Sequence, residues 1–170
     1  MKIGISGLTG SGKTTLGKIL AEKLDLPLIA PTFKDLAKEK GISLMEFQKL
    51  ASNDDSIDKE FDEQLRKQSK EKGSFVVATW LAPWILDLDV RIWVHCSDEI
   101  RAERTSKRDK VSKAEAMKHL KERDKNNHER YKKIYGIDTS DLSSFDLKLD
   151  TGKISPEKLV DKIISKFKLK

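Results

Sequence analysis

Eight residues near the N-terminus have the composition and spacing of a loop that binds the phosphates of a nucleotide. Residues 7–14 read Gly-Leu-Thr-Gly-Ser-Gly-Lys-Thr, with two glycines five positions apart followed by Lys and Thr. The glycines allow the backbone to bend so that several N–H groups converge on an anion. Lys13 is expected to reach the β- and γ-phosphates, and the Thr14 hydroxyl is expected to hold Mg²⁺. The pattern therefore predicts that the chain binds ATP or GTP together with Mg²⁺.

The segments on either side of this loop have the order that such a loop needs. Residues 2–6 are apolar enough for a buried strand, and apolar residues recur at helical spacing after the loop. The helix begins at the loop, so its positive end also favours an anion there. The residues predicted to contact the nucleotide here are Gly7, Thr9, Gly10, Ser11, Gly12, Lys13, Thr14 and Thr15.

Predicted strands and helices alternate along the rest of the chain. The predicted strands lie at about 2–6, 28–30, 75–80, 90–95 and 145–149. This alternation predicts a three-layer α/β/α fold with a five-stranded parallel sheet, in a single domain that spans residues 1–170. Ligands of such sheets bind beyond the carboxyl ends of the strands, so the important loops are predicted at about 6–14, 30–34, 78–84, 95–98 and 150–155.

Arginines recur at helical spacing in two neighbouring predicted helices. Arg101, Arg104 and Arg108 form one stripe, and Arg123 and Arg130 lie seven positions apart on the longer helix that follows. Arginines on a mobile lid would neutralise charge during phosphoryl transfer and would exclude water. We therefore predict Arg104 and Arg108 as nucleotide contacts, and Arg123 and Arg130 as catalytic residues with Lys13. The alternative is that the arginines form surface ion pairs with glutamates of the same helices, namely Glu99, Glu103 and Glu122.

Composition narrows the class of protein. The chain has 170 residues, a single cysteine (Cys96) and a formal net charge of +6. One cysteine cannot form an internal disulfide, and no apolar run is long enough to span a membrane. With the first strand predicted at the very start, we expect no signal peptide and a cytoplasmic, monomeric protein. The basic residues are scattered, which favours small nucleotides over nucleic acid as the anionic partner.

The order of these motifs resembles that of the nucleoside monophosphate kinases, and most of all the archaeal cytidylate kinases, over nearly the whole chain. Besides the phosphate loop, the resemblance is carried by residues 33–37, 41–47, 81–84, 91–93, 101–104, 122–124, 129–131, 134–138, 141–143 and 150–151. It implies ATP as phosphoryl donor, Mg²⁺ as cofactor, a lid at about 109–135 and a monophosphate-binding region at about 31–72. Arg123 and Arg130 match the lid arginines of the family.

The departures from the family pattern fall on the acceptor side. The family usually has an acidic residue, a Gly and an Arg after the third strand, an Arg in the helix that Phe33 opens, and a pair of arginines near 63–64. This chain has other residues at these positions: Ala78, Thr79 and Trp80, then Lys34, then Glu63 and Gln64.

Four residues are predicted to contact the acceptor: Lys34, Asp58, Thr79 and Trp80. Lys34 would attract a phosphate as a point charge, without the bidentate fork of an arginine. Asp58 would accept a hydrogen bond from an amino group of the base, or would be a surface carboxylate. Trp80 would stack on the base or would fill the core.

The predicted activity is transfer of a phosphoryl group from ATP to a nucleoside monophosphate, with CMP or dCMP as the first choice. Two alternatives follow from the altered acceptor residues and the positive charge. One is a kinase of the same fold that acts on another small acceptor. The other is an ATP-binding factor associated with RNA or the ribosome, with weak ATPase activity.

Overall fold

A five-stranded parallel sheet organises the computed structural model, which describes residues 1–169. The strand order is β2-β3-β1-β4-β5. Because β1 occupies the centre, the loop that follows it opens at the middle of the carboxyl edge of the sheet. The strands are β1 (Lys2–Gly7), β2 (Leu28–Ile29), β3 (Phe75–Ala78), β4 (Val90–His95) and β5 (Leu147–Asp150).

Helices cover both faces of the sheet and confirm the predicted α/β fold. One apolar cluster joins the sheet to the first and last helices, and a second lies between the other face and the fourth and fifth helices. Within residues 1–169, no helix is both long and apolar enough to cross a bilayer. The helices are α1 (Lys13–Lys23), α2 (Phe33–Glu39), α3 (Leu44–Asn53), α4 (Asp55–Lys70), α5 (Ala82–Ile85), α6 (Asp98–Asp109), α7 (Lys113–Tyr135) and α8 (Pro156–Phe167).

Side-chain caps account for most of the helix starts. Thr32 and Ser43 each form a capping box, in which the side chain accepts from the third helical N–H and the acidic residue there accepts from the cap N–H. Ser112 caps α7. These helix starts therefore depend on residues that are close together in the chain.

The largest differences from the predicted elements lie beside the third and fifth strands. β3 ends at Ala78, and a short helix, α5, follows that the sequence pattern did not indicate. β5 begins at Leu147 because Phe145 packs edge-on against Trp84 and Trp93, with ring centroids 5.0 and 5.5 Å away. Tertiary packing of the aromatic ring therefore overrides its strand propensity.

Gly17 allows α1 to pack closely on the sheet. A Cβ atom at this position would lie 2.8 Å from the Cβ of Ala78 on β3. α1 begins directly at the phosphate loop, so this close approach also sets the position of the loop over the sheet.

We predict that Gly17→Ala destabilises the protein although alanine is the better helix former. The helix gains about 1 kcal/mol from the substitution, whereas overpacking against Ala78 costs about 1–3 kcal/mol. Chemical denaturation should show a lower free energy of unfolding. Gly73→Ala is the control, because a Cβ there meets nothing within 4 Å. A Gly17→Ala variant that is more stable than the wild type would contradict the close packing.

Candidate active site

The main cavity lies at the carboxyl edge of the sheet and has a volume of about 680 Å³. That volume is within the range of small-molecule sites, roughly 300–1,000 Å³. Its walls come from four of the predicted loops, those after β1, β2, β3 and β5, and from α3, α4, α6 and α7. The phosphate loop forms one end, where the cavity is lined by Thr9, Gly10, Gly12, Lys13, Thr14 and Thr15.

The phosphate loop has a backbone that only glycine adopts readily at two positions. Gly10 and Gly12 have φ values of 76° and 93°, in the left-handed region. Gly12 immediately precedes α1, so the unpaired N–H groups of the first helical turn face the cavity. Gly7 and Ser11 are buried and shape the loop without lining the cavity.

Lys13 lies in a part of the cavity with an excess of positive charge. Its Nζ donates to the carbonyl oxygen of Leu8 over 3.0 Å. Burial and, to a smaller extent, the nearby charge of Arg123 lower the pKa of Lys13 to about 7, against the opposite effect of Asp124. An anion with several negative charges would relieve this repulsion, so the loop suits a polyphosphate.

Arg104 and Arg108, which the sequence predicts as nucleotide contacts, line the same end of the cavity. Arg104 donates to the carbonyl oxygen of Thr151 over 2.7 Å, in the loop after β5. Arg108 forms an ion pair with Asp109 at 2.8 Å. The partners of these arginines are not the glutamates considered as the surface alternative.

Arg101 has a structural role that its place in the stripe did not indicate. It is buried, and its Nη1 donates to the carbonyl oxygen of Thr9 over 2.9 Å and to Asp124 over 2.6 Å. Asp124 also accepts from the N–H of Thr9 over 3.0 Å. Both backbone groups of Thr9 are therefore held by side chains from α6 and α7, which couples the phosphate loop to these two helices.

Arg123 lines the cavity, where its guanidinium can contact a bound phosphate. Burial lowers its pKa to about 10, and the charge of Arg108 contributes. Its Nε is buried without a hydrogen-bond partner among residues 1–169. Such a cation is costly unless a ligand neutralises it.

Arg130 and Asp58 do not line the cavity, contrary to the expectation that they contact ligands. They form a buried ion pair at 2.7 Å, in which Arg130 is 4% and Asp58 1% exposed. Arg130 lies on the same face of α7 as Arg123 but about 10 Å further along the axis. At this position along α7 the helix lies beside α4, so the guanidinium of Arg130 pairs with the carboxylate of Asp58.

The structure also places Lys34 away from the cavity wall. Its Nζ contacts Asp109 at 2.7 Å, at the end of α6, and the side chain is half exposed. Glu63 and Gln64 are exposed on the outer side of α4, so their difference from the family arginines does not alter the cavity.

The end of the cavity opposite the phosphate loop is a pocket with aromatic walls and polar groups, which we call the distal pocket. Thr79 and Trp80, which the sequence predicts as acceptor contacts, line the cavity here, with the Trp80 ring 5.9 Å from that of Tyr131. Sequence reasoning missed most of its polar residues; the only signal was that Asp62 lies one helical turn after Asp58. The distal pocket comprises Phe33, Gln48, Phe61, Asp62, Trp80, Asn127 and Tyr131.

The metal-binding capacity of the site rests on Thr14. Its hydroxyl is on the cavity wall at the start of α1. Within residues 1–169, no group of three or more His, Cys, Asp or Glu side chains could hold a metal by itself. Mg²⁺ bound to a nucleotide takes phosphate oxygens and water as its main ligands, so a single hydroxyl beside the phosphate loop fits that ion.

A phosphate loop between a central strand and α1, with arginines from two further helices around it, defines a P-loop kinase. Similarity to known proteins identifies the family within this class. Residues 2–153 match the cytidylate kinase-like family, and the chain belongs to this family.

The relatives are similar over most of their length. The chain is 44% identical to the cytidylate kinase of Pyrococcus horikoshii, covering 91% of this chain and 82% of the relative. It is 41% identical to the cytidylate kinase of Methanocaldococcus jannaschii, covering 90% and 89%. The resemblance inferred from the sequence is confirmed, and these relatives favour a nucleotide kinase over the two alternatives.

Solved structures of other kinases share the fold. Deoxyadenosine kinase from M. mycoides superposes with a TM-score of 0.61 at 19% identity, covering 99% of each chain. Shikimate kinase from Aquifex aeolicus superposes with a TM-score of 0.62 at 22% identity, covering 99% of this chain and 96% of that one.

We predict opposite consequences for the two lid arginines. Arg130→Met should lower the free energy of unfolding by about 3–5 kcal/mol, because it leaves the Asp58 charge buried and unpaired. Arg123→Met should not lower stability, because it removes an unpaired buried cation, but it should reduce kcat by about 10³-fold or more. Denaturation curves of both variants measure the free energy of unfolding, and initial rates measure kcat.

The double variant Asp58→Asn with Arg130→Met is the matched control. It should be more stable than Arg130→Met alone, because both charges are removed. A stable Arg130→Met variant, or an unstable Arg123→Met variant, would contradict the assignment of the two arginines.

Proposed function

We propose that this chain transfers the γ-phosphoryl group of ATP to the phosphate of CMP or dCMP, producing ADP and CDP or dCDP. The observation that carries the proposal is the continuity of one cavity from the phosphate loop to the distal pocket. Donor and acceptor phosphates bound at the two ends would meet between them. The names of the relatives supply the cytidine nucleotide as the first choice.

In this proposal the phosphate loop and the arginines supply electrostatic stabilisation. The N–H groups at the start of α1, together with Lys13, bind the β- and γ-phosphates. Arg123 neutralises negative charge on the phosphoryl group during its transfer. Arg104 and Arg108, both on α6, bind the donor nucleotide. Thr14 would hold Mg²⁺, which supplies charge neutralisation between the phosphates when it is bound.

An acceptor phosphate is already an anion, so no side chain needs to act as a general base. The chain has to position the acceptor oxygen in line with the γ-phosphate and to keep water away. We propose that residues of about 109–135 act as the lid and that residues of about 31–72 hold the acceptor. Cytoplasmic location and a monomeric state stay predictions from the sequence.

We predict that CMP and dCMP accelerate ADP formation from Mg·ATP well beyond UMP, AMP and GMP, by at least about tenfold in kcat/KM. A blank without acceptor measures the ATPase background. No acceleration by any monophosphate, with ATP still bound, would contradict the proposal. Small hydroxyl acceptors and RNA would then be assayed.

We also predict that nucleotide binding takes up protons at pH 8. With a pKa of about 7, Lys13 is mostly neutral at that pH in the free protein, and bound phosphates raise the pKa and protonate it. Calorimetry in two buffers of different ionisation enthalpy should show uptake of up to about one proton.

Lys13→Arg is the control for this measurement, since arginine stays protonated throughout the range. It should bind Mg·ATP at pH 8 without the uptake. Proton uptake of the same size in this variant would show that another group titrates.

A further inference from the structure

Asp62 is a buried carboxylate that the phosphoryl transfer described above does not use. It is 2% exposed, yet it lines the distal pocket. Its Oδ2 accepts a hydrogen bond from the Tyr135 hydroxyl over 2.7 Å. Its other oxygen has no donor among residues 1–169 and is available to a ligand in the cavity. Because Asp62 lines the cavity, a ligand there can donate a hydrogen bond to this oxygen.

Two amides of the distal pocket are held in defined orientations by Arg130. Gln48 Oε1 accepts from Nη1 over 2.8 Å, and Asn127 Oδ1 accepts from Nη2 over 3.0 Å. A guanidinium only donates hydrogen bonds, so both amide oxygens must face it and both NH₂ groups must face elsewhere. Because Gln48 and Asn127 line the cavity, their NH₂ groups are donors that the distal pocket can offer to a ligand.

The apolar walls of the distal pocket suit a flat ring. Phe33 and Phe61 stand edge to face with centroids 5.3 Å apart, and Trp80 and Tyr131 form a second aromatic pair. Nucleobases stack on such side chains whatever their identity. The aromatic walls therefore supply affinity for a base, and the polar groups decide which base is accepted.

We propose that the distal pocket selects cytosine, with Asp62 accepting from the exocyclic amino group and the amides of Gln48 and Asn127 donating to ring N3 and the O2 carbonyl. Resting on the proposed function, this inference names the residues that choose its acceptor. Uracil has an oxygen where cytosine has the amino group. With UMP, that oxygen would face the Asp62 carboxylate and the ring N–H would face an amide donor.

The ionisation state of Asp62 adds a pH dependence to this selection. Burial raises the pKa of Asp62 to about 6, and the charge of Asp58 also raises it, against the hydrogen bond from Tyr135 and the charges of Arg66 and Arg130. Asp58 and Arg66 face it from α4, and Tyr135, Arg130 and the Tyr131 phenol face it from α7. Below pH 6 the carboxyl is protonated and can donate to the uracil oxygen, so discrimination against UMP should weaken as the pH falls.

The test compares kcat/KM for CMP and UMP in the wild type and in Asp62→Asn, at pH 8 and at pH 5.5. Asparagine keeps an oxygen for Tyr135 and can present an NH₂ donor to the pocket. We expect the CMP-to-UMP ratio at pH 8 to fall at least about tenfold, with the KM for ATP unchanged. The ratio should decrease from pH 8 to pH 5.5 in the wild type and should stay constant in the variant.

Glu63→Gln is the matched control, because it removes a carboxylate from the next position on the exposed side of α4 and should leave the ratio unchanged. Asp62→Asn should not melt at a lower temperature than the wild type at pH 8, since it removes a buried charge. If it nevertheless fails to fold, Gln48→Glu replaces a donor by an acceptor next to Arg130 and should also reduce the ratio.

Equilibrium binding of CMP and UMP separates this inference from the proposed function. Tighter binding of CMP by the wild type, lost in Asp62→Asn, would support base selection even if no monophosphate is phosphorylated. Absence of turnover with that binding pattern would overturn the proposed function alone. Equal binding of CMP and UMP, or an unchanged ratio in Asp62→Asn, would overturn the role of Asp62.

Discussion

The buried ion pair between Arg130 and Asp58 is the interaction on which both ends of the cavity depend. It joins α7 to α4 across the distal pocket, and it aligns the amides of Gln48 and Asn127. Because it holds one end of α7, it also sets where Arg123 stands on the same helix. A charge pair this deeply buried is a weak source of net stability, but it specifies one arrangement of the side chains around it.

The two ends of the cavity have opposite electrostatic character. At the phosphate end, the cations Lys13, Arg104, Arg108 and Arg123 outnumber the carboxylates. Burial, together with the charge of Arg123, lowers the pKa of Lys13 there. At the distal end, burial raises the pKa of Asp62. A nucleotide has the complementary arrangement, with its charge on the phosphates and hydrogen-bonding groups on a flat, uncharged base. The field of the cavity can therefore orient an acceptor.

The link between the phosphate loop and helices α6 and α7 explains how the loop can stay ordered although glycines make it flexible. Arg101 and Asp124 hold the carbonyl and the N–H of Thr9. Any movement of α7 towards the cavity therefore acts on the loop directly. The difference between Arg101 and its neighbours Arg104 and Arg108 also shows that one stripe of arginines serves two purposes, internal support and ligand contact.

The sequence by itself determined the α/β fold, the phosphate loop, the helix caps and the family, because each depends on residues that are close together in the chain. Contiguous glycines with Lys13 and Thr14 define a local backbone, and alternation of strands and helices leaves few topologies open. Only the tertiary structure decided which charged residues face the cavity. Arg123 and Arg130 share a helical face, and Asp58 and Asp62 share another, yet one member of each pair lines the cavity and the other is neutralised in the protein interior. Which member lines the cavity depends on the positions along α4 and α7 at which the two helices come together. The spacing of residues along either helix does not encode those positions.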